Sequence, residues 1–216
     1  MQEAVPGLRR VRAQVALYAL AWDASNVAAL APGAAGPLWV VLGDSTAQGI
    51  GASGFDQGYV GQLHRTLEAR TGTPWRVLNL SKSGARAADV VATQLPRLEA
   101  LGTDPDLVTC AIGSNDVVRR TPLVQVEREL REIVSRLPAG SVVATLPQGL
   151  WAERVAALNA IVRSAAGEAG LVVADVFGTT GPPWKDKFAA DHFHPADLGY
   201  ADWAAAFAEV VRGSRG

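Results

Sequence analysis

The chain has 216 residues, enough for one domain with a sizeable core and short for two. Hydrophobic residues make up 49%, which excludes intrinsic disorder, and a net charge of −1 offers nothing to nucleic acid or an anionic membrane. The single cysteine, Cys110, excludes an internal disulfide and reads as a small hydrophobe in the apolar run Leu107 to Ile112.

The first 36 residues admit two readings. Arg9, Arg10 and Arg12 precede an apolar stretch from Ala13 to Trp22, and Ala29-Leu30-Ala31 has the small residues of a cleavage site, as in a secretory signal. Gln14 interrupts that stretch, however, and Asp23, Ser25 and Asn26 follow it. Leu8, Val11, Val15, Tyr18 and Trp22 recur at helical spacing, which predicts a retained amphipathic helix. Too short and interrupted to span a bilayer, it suits a cytoplasmic protein, with secretion or membrane association left open. Ala31 to Pro37 (APGAAGP) reads as a linker, so residues 1–36 form a helix-and-linker unit and 37–216 the main domain.

Strands and helices then alternate. Leu38 to Leu42 is a buried strand ending at Gly43, and Tyr59, Val60, Leu63 and Leu67 mark a helix. Trp75 to Leu80 is the second strand. Asp89 to Leu101 is helical with a kink or break expected at Pro96. Leu107 to Ile112 is the third strand, and Pro122 opens a helix with Val126, Leu130, Ile133, Val134 and Leu137 on one face. Ser141 to Leu146 is the fourth strand. Trp151, Val155, Leu158 and Val162 line the next helix, which ends around Gly167 and Gly170. Leu171 to Val176 is the fifth strand, and Trp203, Phe207, Val210 and Val211 mark the last helix. Five strands that are apolar throughout, separated by helices, predict an α/β fold with a parallel sheet covered on both faces.

Three polar motifs fall just beyond strand ends, the edge where open α/β sheets bind ligands. These are Gly43-Asp44-Ser45, Ser83-Gly84 and Gly113-Ser114-Asn115-Asp116; a fourth, Asp191-His192-Phe193-His194-Pro195, lies near the C-terminus. Together they supply the parts of acyl transfer. Ser45 is a nucleophile once a neutral imidazole accepts its proton, although a serine at a strand-to-helix turn also caps helices. His64 sits on a helix away from the motifs, so His192 and His194 are the bases in reach, with Asp191 as an orienting carboxylate or a turn cap. Gly84 can bring a backbone N–H close to an oxyanion, and Asn115 can add its side-chain amide; an ordinary turn glycine and a turn asparagine are the plainer readings. Asp44 and Asp116 read as scaffold.

At these residues the chain resembles the SGNH hydrolases, also called the GDSL esterases and lipases. The resemblance implies a three-layer α/β/α, flavodoxin-like fold with a five-stranded parallel sheet. It selects His194 over His192, because the pattern is Asp-x-x-His-Pro, and assigns Ser45, Asp191 and His194 as catalytic. It assigns Ser45, Gly84 and Asn115 to the oxyanion hole, with the backbone N–H of Ser45 as the third donor. It implies no cofactor and no metal, which discounts Asp191, His192 and His194 as a metal set. Thr46 stands where leucine is common.

Gly49-Ile50-Gly51-Ala52-Ser53-Gly54 fits a dinucleotide fingerprint, but it starts too far past the first strand and is read as a flexible loop beside the site. The G-x-S-x-G elbow of another esterase class is absent from the sequence. The expected function is hydrolysis of small or medium-chain acyl esters, those of carbohydrates included, with a small-molecule ester as partner and no nucleic acid. The alternatives are an acyltransferase that moves an acyl group to or from a sugar and a non-catalytic binding protein on the same scaffold. The N-terminal segment and Thr179 to Phe188 are expected to form a lid.

Overall fold

The computed structural model describes residues 6–149 and 151–211; the expectations that touch residues 1–5, 150 and 212–216 lie outside the described residues, as does the side chain of Leu8. The elements run in the order α1 (Pro6–Ala29), β1 (Leu38–Gly43), α2 (Tyr59–Thr71), β2 (Arg76–Asn79), α3 (Ala87–Asp89), α4 (Leu95–Glu99), β3 (Leu107–Ala111), α5 (Ser114–Val118), α6 (Leu123–Arg136), β4 (Val142–Ala144), α7 (Ala152–Ala169), β5 (Val172–Ala174), α8 (Val176–Thr179) and α9 (Asp197–Val210). All strand pairs are parallel, in the order β2-β1-β3-β4-β5. That is the doubly wound, flavodoxin-like order, and its switch point falls between β1 and β3.

The sheet is covered on both faces because its strands are mostly apolar at consecutive positions, with Arg76 and Asn79 of edge strand β2 and Thr109 of β3 as the polar exceptions. In β1, Leu38, Val40 and Leu42 join one core with Val90, Leu95, Val126, Ile133, Leu158 and Val162. Trp39 and Val41 point the other way, into a core with Trp22, Tyr59, Leu63, Trp203 and Phe207. Alternation of side chains along a strand sends neighbouring residues to opposite faces, so a run of buried residues demands helices on both sides. Burial decides Cys110 as well: its thiol is pushed up to about 12 by desolvation, with the negative charge of Asp44 adding to the effect.

The α-helix is broken just ahead of Pro96, as expected, and the proline stands in the first turn of α4. A π-helical turn, Val90–Gln94, joins α3 to α4, and the Leu95 N–H bonds Val90 C=O. The ladder has already shifted register when the proline arrives, so the missing N–H costs no expected bond. The wide turn also aims buried Gln94 at the end of β1. Its side chain donates to Gly43 C=O and accepts from Gly43 N–H, both at 2.8 Å. The strand end just before Ser45 is thereby held by a two-pronged amide contact.

In α1 the inward stripe is Val11, Gln14, Tyr18, Trp22 and Asn26, and it differs from the expected one. Val15 is exposed. Gln14, which the sequence presents as an interruption, is one of the best-bonded residues on the helix. Its Nε2 donates to Ala52 C=O at 2.9 Å and its Oε1 accepts from Gly51 N–H at 2.9 Å. Trp22 Nε1 donates to Gln48 C=O at 3.1 Å. Asn26 donates to Asn79 C=O at 2.8 Å and accepts from Asn79 N–H at 2.7 Å. Strand β2 is a sheet edge, and an asparagine amide satisfying its backbone is one way to close such an edge. Among the described residues, no helix is long and apolar enough to cross a membrane.

Candidate active site

Ser45 follows β1, Gly84 follows β2 and Asn115 follows β3, so all three stand at the C-terminal edge of the sheet around the switch point. Gly43 ends β1 with a φ of +152°, and a Cβ there would lie 2.5 Å from Ala111 C=O. Only glycine lets β1 pass β3 this closely and turn outward at once. The chain then folds into turns in which Ile50 N–H donates to Ser45 C=O at 3.0 Å.

The segment from Lys187 to Ala196 doubles back like a hairpin. Phe188 and Pro195 form an antiparallel bridge, Ala189 N–H donates to His194 C=O at 2.9 Å and Ala196 N–H donates to Lys187 C=O at 2.9 Å. His192 sits at the tip with φ +54°. Asp191 and His194 face each other across the turn. Asp191 Oδ1 accepts from the N–H groups of Phe193 and His194, both at 3.0 Å, and its Oδ2 lies 2.6 Å from His194 Nδ1. His194 Nε2 lies 2.9 Å from Ser45 Oγ. A serine hydroxyl, an imidazole and a carboxylate are thus hydrogen-bonded in sequence, an arrangement able to act as nucleophile, base and orienting group. Burial works to raise the Asp191 carboxyl, but the imidazole and the two amides overcome it and hold the group below its usual range. The carboxylate therefore stays ionised at neutral pH.

The expected donors lie opposite. Gly84 has φ +80° and is exposed, and a Cβ built on it would meet no atom within 4 Å. Its glycine requirement is conformational, since a left-handed backbone strains other residues. Asn115 Nδ2 donates to Ala85 C=O at 2.9 Å and lies 3.4 Å from Asp44 Oδ2. An amide nitrogen carries two hydrogens, so one is committed to Ala85 and the second, in a long contact, is the one that can turn to an oxyanion. Asp44 and Asp116 serve as scaffold. Asp44 Oδ1 accepts from the amide and the hydroxyl of Thr46, both at 2.9 Å, and Asp116 Oδ2 accepts from Ala87 N–H at 2.9 Å. Asp116 so ties the segment after Gly84 to the helix that carries Asn115. Burial pushes the Asp44 carboxyl up; Thr46 and His194 pull it down without offsetting the rise, and Asp116 adds to it.

The other candidates fall elsewhere. His64 bonds Trp75 C=O through Nε2 at 2.8 Å on α2. His192 is exposed and lines a cleft instead of meeting Ser45. Among the described residues, no group of three or more His, Cys, Asp or Glu side chains is arranged to hold a metal.

Three residues that the motifs do not mark support the site. Gln48 donates to Ser81 C=O at 3.1 Å and accepts from the Ser83 hydroxyl at 2.6 Å, bracing the Gly84 loop. Gln94 holds Gly43. Gln14 holds Gly51, where a Cβ would lie 2.8 Å from His194 Cβ and 2.4 Å from Pro195 C=O. The glycine-rich stretch is therefore a packed shelf under the His194 turn, tied down by α1. The signal for such residues is a glutamine on a face that is otherwise apolar. Gln14→Leu keeps the shape but strands the Gly51 N–H, while Ala52 C=O keeps the Tyr18 hydroxyl at 2.9 Å, a loss of about 2 kcal/mol. A thermal melt should then show Tm lowered by about 4–8 °C, with kcat falling more than KM rises; an unchanged Tm would contradict the strapping role.

A hydrogen-bonded serine, histidine and aspartate at the switch point of a doubly wound sheet define a serine hydrolase site in form. A profile of the GDSL-like Lipase/Acylhydrolase family matches residues 41–201, and the chain belongs to that family. Strand β1 enters the matched region and α1 lies before it. Among solved structures, the chain is similar to LAE5, an alpha/beta hydrolase enzyme from the metagenome of Lake Arreo, Spain, with 26% identity, 82% of this chain and 95% of that one covered, and a TM-score of 0.68. It is similar to TesA, with 24% identity, 81% and 98% covered, and a TM-score of 0.69. It is also similar to Axe2, an acetylxylan esterase from Geobacillus stearothermophilus, with 23% identity, 84% and 98% covered, and a TM-score of 0.65. No curated protein sequence matches the chain. The protein is a serine ester hydrolase of the SGNH type.

Proposed function

We propose that the protein hydrolyses small or medium-chain acyl esters through a covalent intermediate on Ser45. Ser45 Oγ attacks the ester carbonyl while His194 Nε2 takes its proton; the tetrahedral oxyanion faces Gly84, Asn115 and the Ser45 N–H. Collapse breaks the carbonyl–alkoxy bond, and the imidazolium returns its proton to the leaving alcohol. Water then attacks the acyl-enzyme by the same route in reverse and frees the acid. Asp191 holds the imidazole in the tautomer that presents an acceptor to the serine. The unbroken 2.9 Å and 2.6 Å contacts along Ser45, His194 and Asp191 carry this reading.

Carbohydrate esters are within this proposal, since Axe2 is an acetylxylan esterase and another similar structure is a family 3 carbohydrate esterase from Clostridium thermocellum. The same acyl-enzyme can yield to a sugar hydroxyl in place of water, so the acceptor is settled by partition. With p-nitrophenyl butyrate and 100 mM xylose or glucose, p-nitrophenol and butyric acid should be released in equal amounts. A deficit of free acid matched by sugar ester would show transfer and contradict hydrolysis as the function.

A further inference from the structure

We propose that the cleft beside the Ser45–His194 pair is an acyl-chain site, and that the preferred ester carries a medium-length, unbranched apolar acyl group, octanoyl in place of acetyl. This rests on the serine esterase reading above. The cleft has a volume of about 620 Å³, with walls that include Val117 and Val118 of α5, Leu146, Val155 of α7, Trp184 and Phe188. Toward the catalytic histidine it continues into a chamber of about 90 Å³ reached by Thr46, His194 and Trp203. Cleft and chamber share Ser114, Pro147, Gln148, Trp184, Phe188 and Phe193, so one apolar passage leads from the surface to the imidazole.

Three further observations favour an alkyl chain over a sugar. First, Val118, Trp151, Trp184, Phe188 and Phe193 are large apolar side chains, each about 40% exposed, and all line this cleft. Apolar side chains left in water around one concavity mark a binding surface. Second, the hydrogen-bonding side chains of the cleft are few: Ser114, Gln148, His192 and the indole N–H groups of Trp151 and Trp184 among the described residues, and only the first three can accept. Gln148 already donates to Phe177 C=O at 3.0 Å. A sugar's hydroxyls need many partners when they leave water. Third, the charged pair at the chamber, Lys187 and Asp202, is closed on itself at 2.7 Å, and Lys187 also donates to Gly181 C=O at 3.0 Å. The chamber thus contains two opposite charges that neutralise each other. Trp184 and Phe188 lie at 5.7 Å with their rings tilted by 35°, forming a wall from the loop expected to act as a lid. Among the described residues, none from α1 lines the cleft.

The test uses p-nitrophenyl alkylphosphonates with methyl, hexyl and octyl chains. Ser45 Oγ forms a bond to phosphorus, p-nitrophenolate leaves and the serine proton passes to His194, so the readout is independent of the acceptor. Each methylene moved from water into an apolar site is worth about fourfold. Partial burial of the chain still predicts labelling by the octyl probe at least about 30-fold faster than by the methyl probe, with the mass adduct on the peptide that carries Ser45. Val118→Trp, which narrows the cleft from an exposed position, should cut the octyl-to-methyl ratio about tenfold. Trp184→Ala, which removes a wall, should also lower it. Equal or faster labelling by the methyl probe, or a ratio untouched by both variants, would overturn the acyl-chain site and leave the serine mechanism standing. Absence of any adduct on Ser45 would overturn both.

Discussion

Ser45→Ala is expected to lower kcat/KM for p-nitrophenyl esters by about 10⁴- to 10⁶-fold. The loss falls on kcat, because the hydroxyl forms the covalent bond and no neighbouring group can replace it. Cys110, the one thiol, is buried within β3 and held protonated to about 12, so it offers no second nucleophile. The fold should be unaffected. Ser45 Oγ bonds the imidazole, while the turn around it is held by backbone and by Asp44, Gln94 and Gln14. Steady-state kinetics with a thermal melt on the same sample check this. Residual activity within tenfold of wild type at an unchanged Tm would show that the serine is not the nucleophile.

Asp191→Asn is expected to cost about 10³- to 10⁴-fold in kcat with little change in KM. The substitution is sharply diagnostic because the carboxylate does two jobs with two oxygens. Oδ1 accepts the N–H groups of Phe193 and His194 and shapes the turn, and asparagine keeps an oxygen for that. Oδ2 faces His194 Nδ1 at 2.6 Å, and there asparagine presents an amide N–H. The imidazole must then accept at Nδ1 and carry its proton on Nε2, so it cannot take the proton of Ser45. Asp191→Ala removes both jobs and should lower Tm further than Asp191→Asn. The pH dependence follows from the depressed carboxyl. A group whose folded pKa lies below its unfolded value near 4 stabilises the fold above that value, and this contribution disappears as pH falls through the folded one. The melting temperatures of wild type and Asp191→Ala should therefore converge below about pH 4. A gap that stays constant down to pH 3 would contradict the assignment.

What was legible in the chain depended on how far apart the interacting groups lie. The five strands were readable because they are apolar at consecutive positions, which only a sheet buried on both faces accommodates. Ser45, Gly84 and Asn115 were readable because each follows such a strand, and Asp191 and His194 because three residues of one turn bring them together. The side-chain amides were not readable. Gln14, Gln48 and Gln94 bond backbone groups of other segments, and nothing near them in sequence specifies those partners. The same holds for the π-helical form of the break that the proline announced, which sets Gln94 against Gly43. It holds for α1 too. Its polar residues read only as interruptions of an apolar stretch, whereas Gln14 and Asn26 strap the glycine-rich shelf and β2. The walls of the cleft, Trp184, Phe188 and Phe193, belong to loops and carry no periodicity that would have grouped them.

The measurement closest to the central claim is acid quenching of p-nitrophenyl butyrate turnover within its first milliseconds, followed by mass analysis of the peptides. The account predicts a butyryl adduct on the peptide that carries Ser45, formed with a burst of p-nitrophenol close to one per enzyme and absent from Ser45→Ala. Turnover that proceeds with no adduct on that peptide, or with an adduct on another residue, would contradict it.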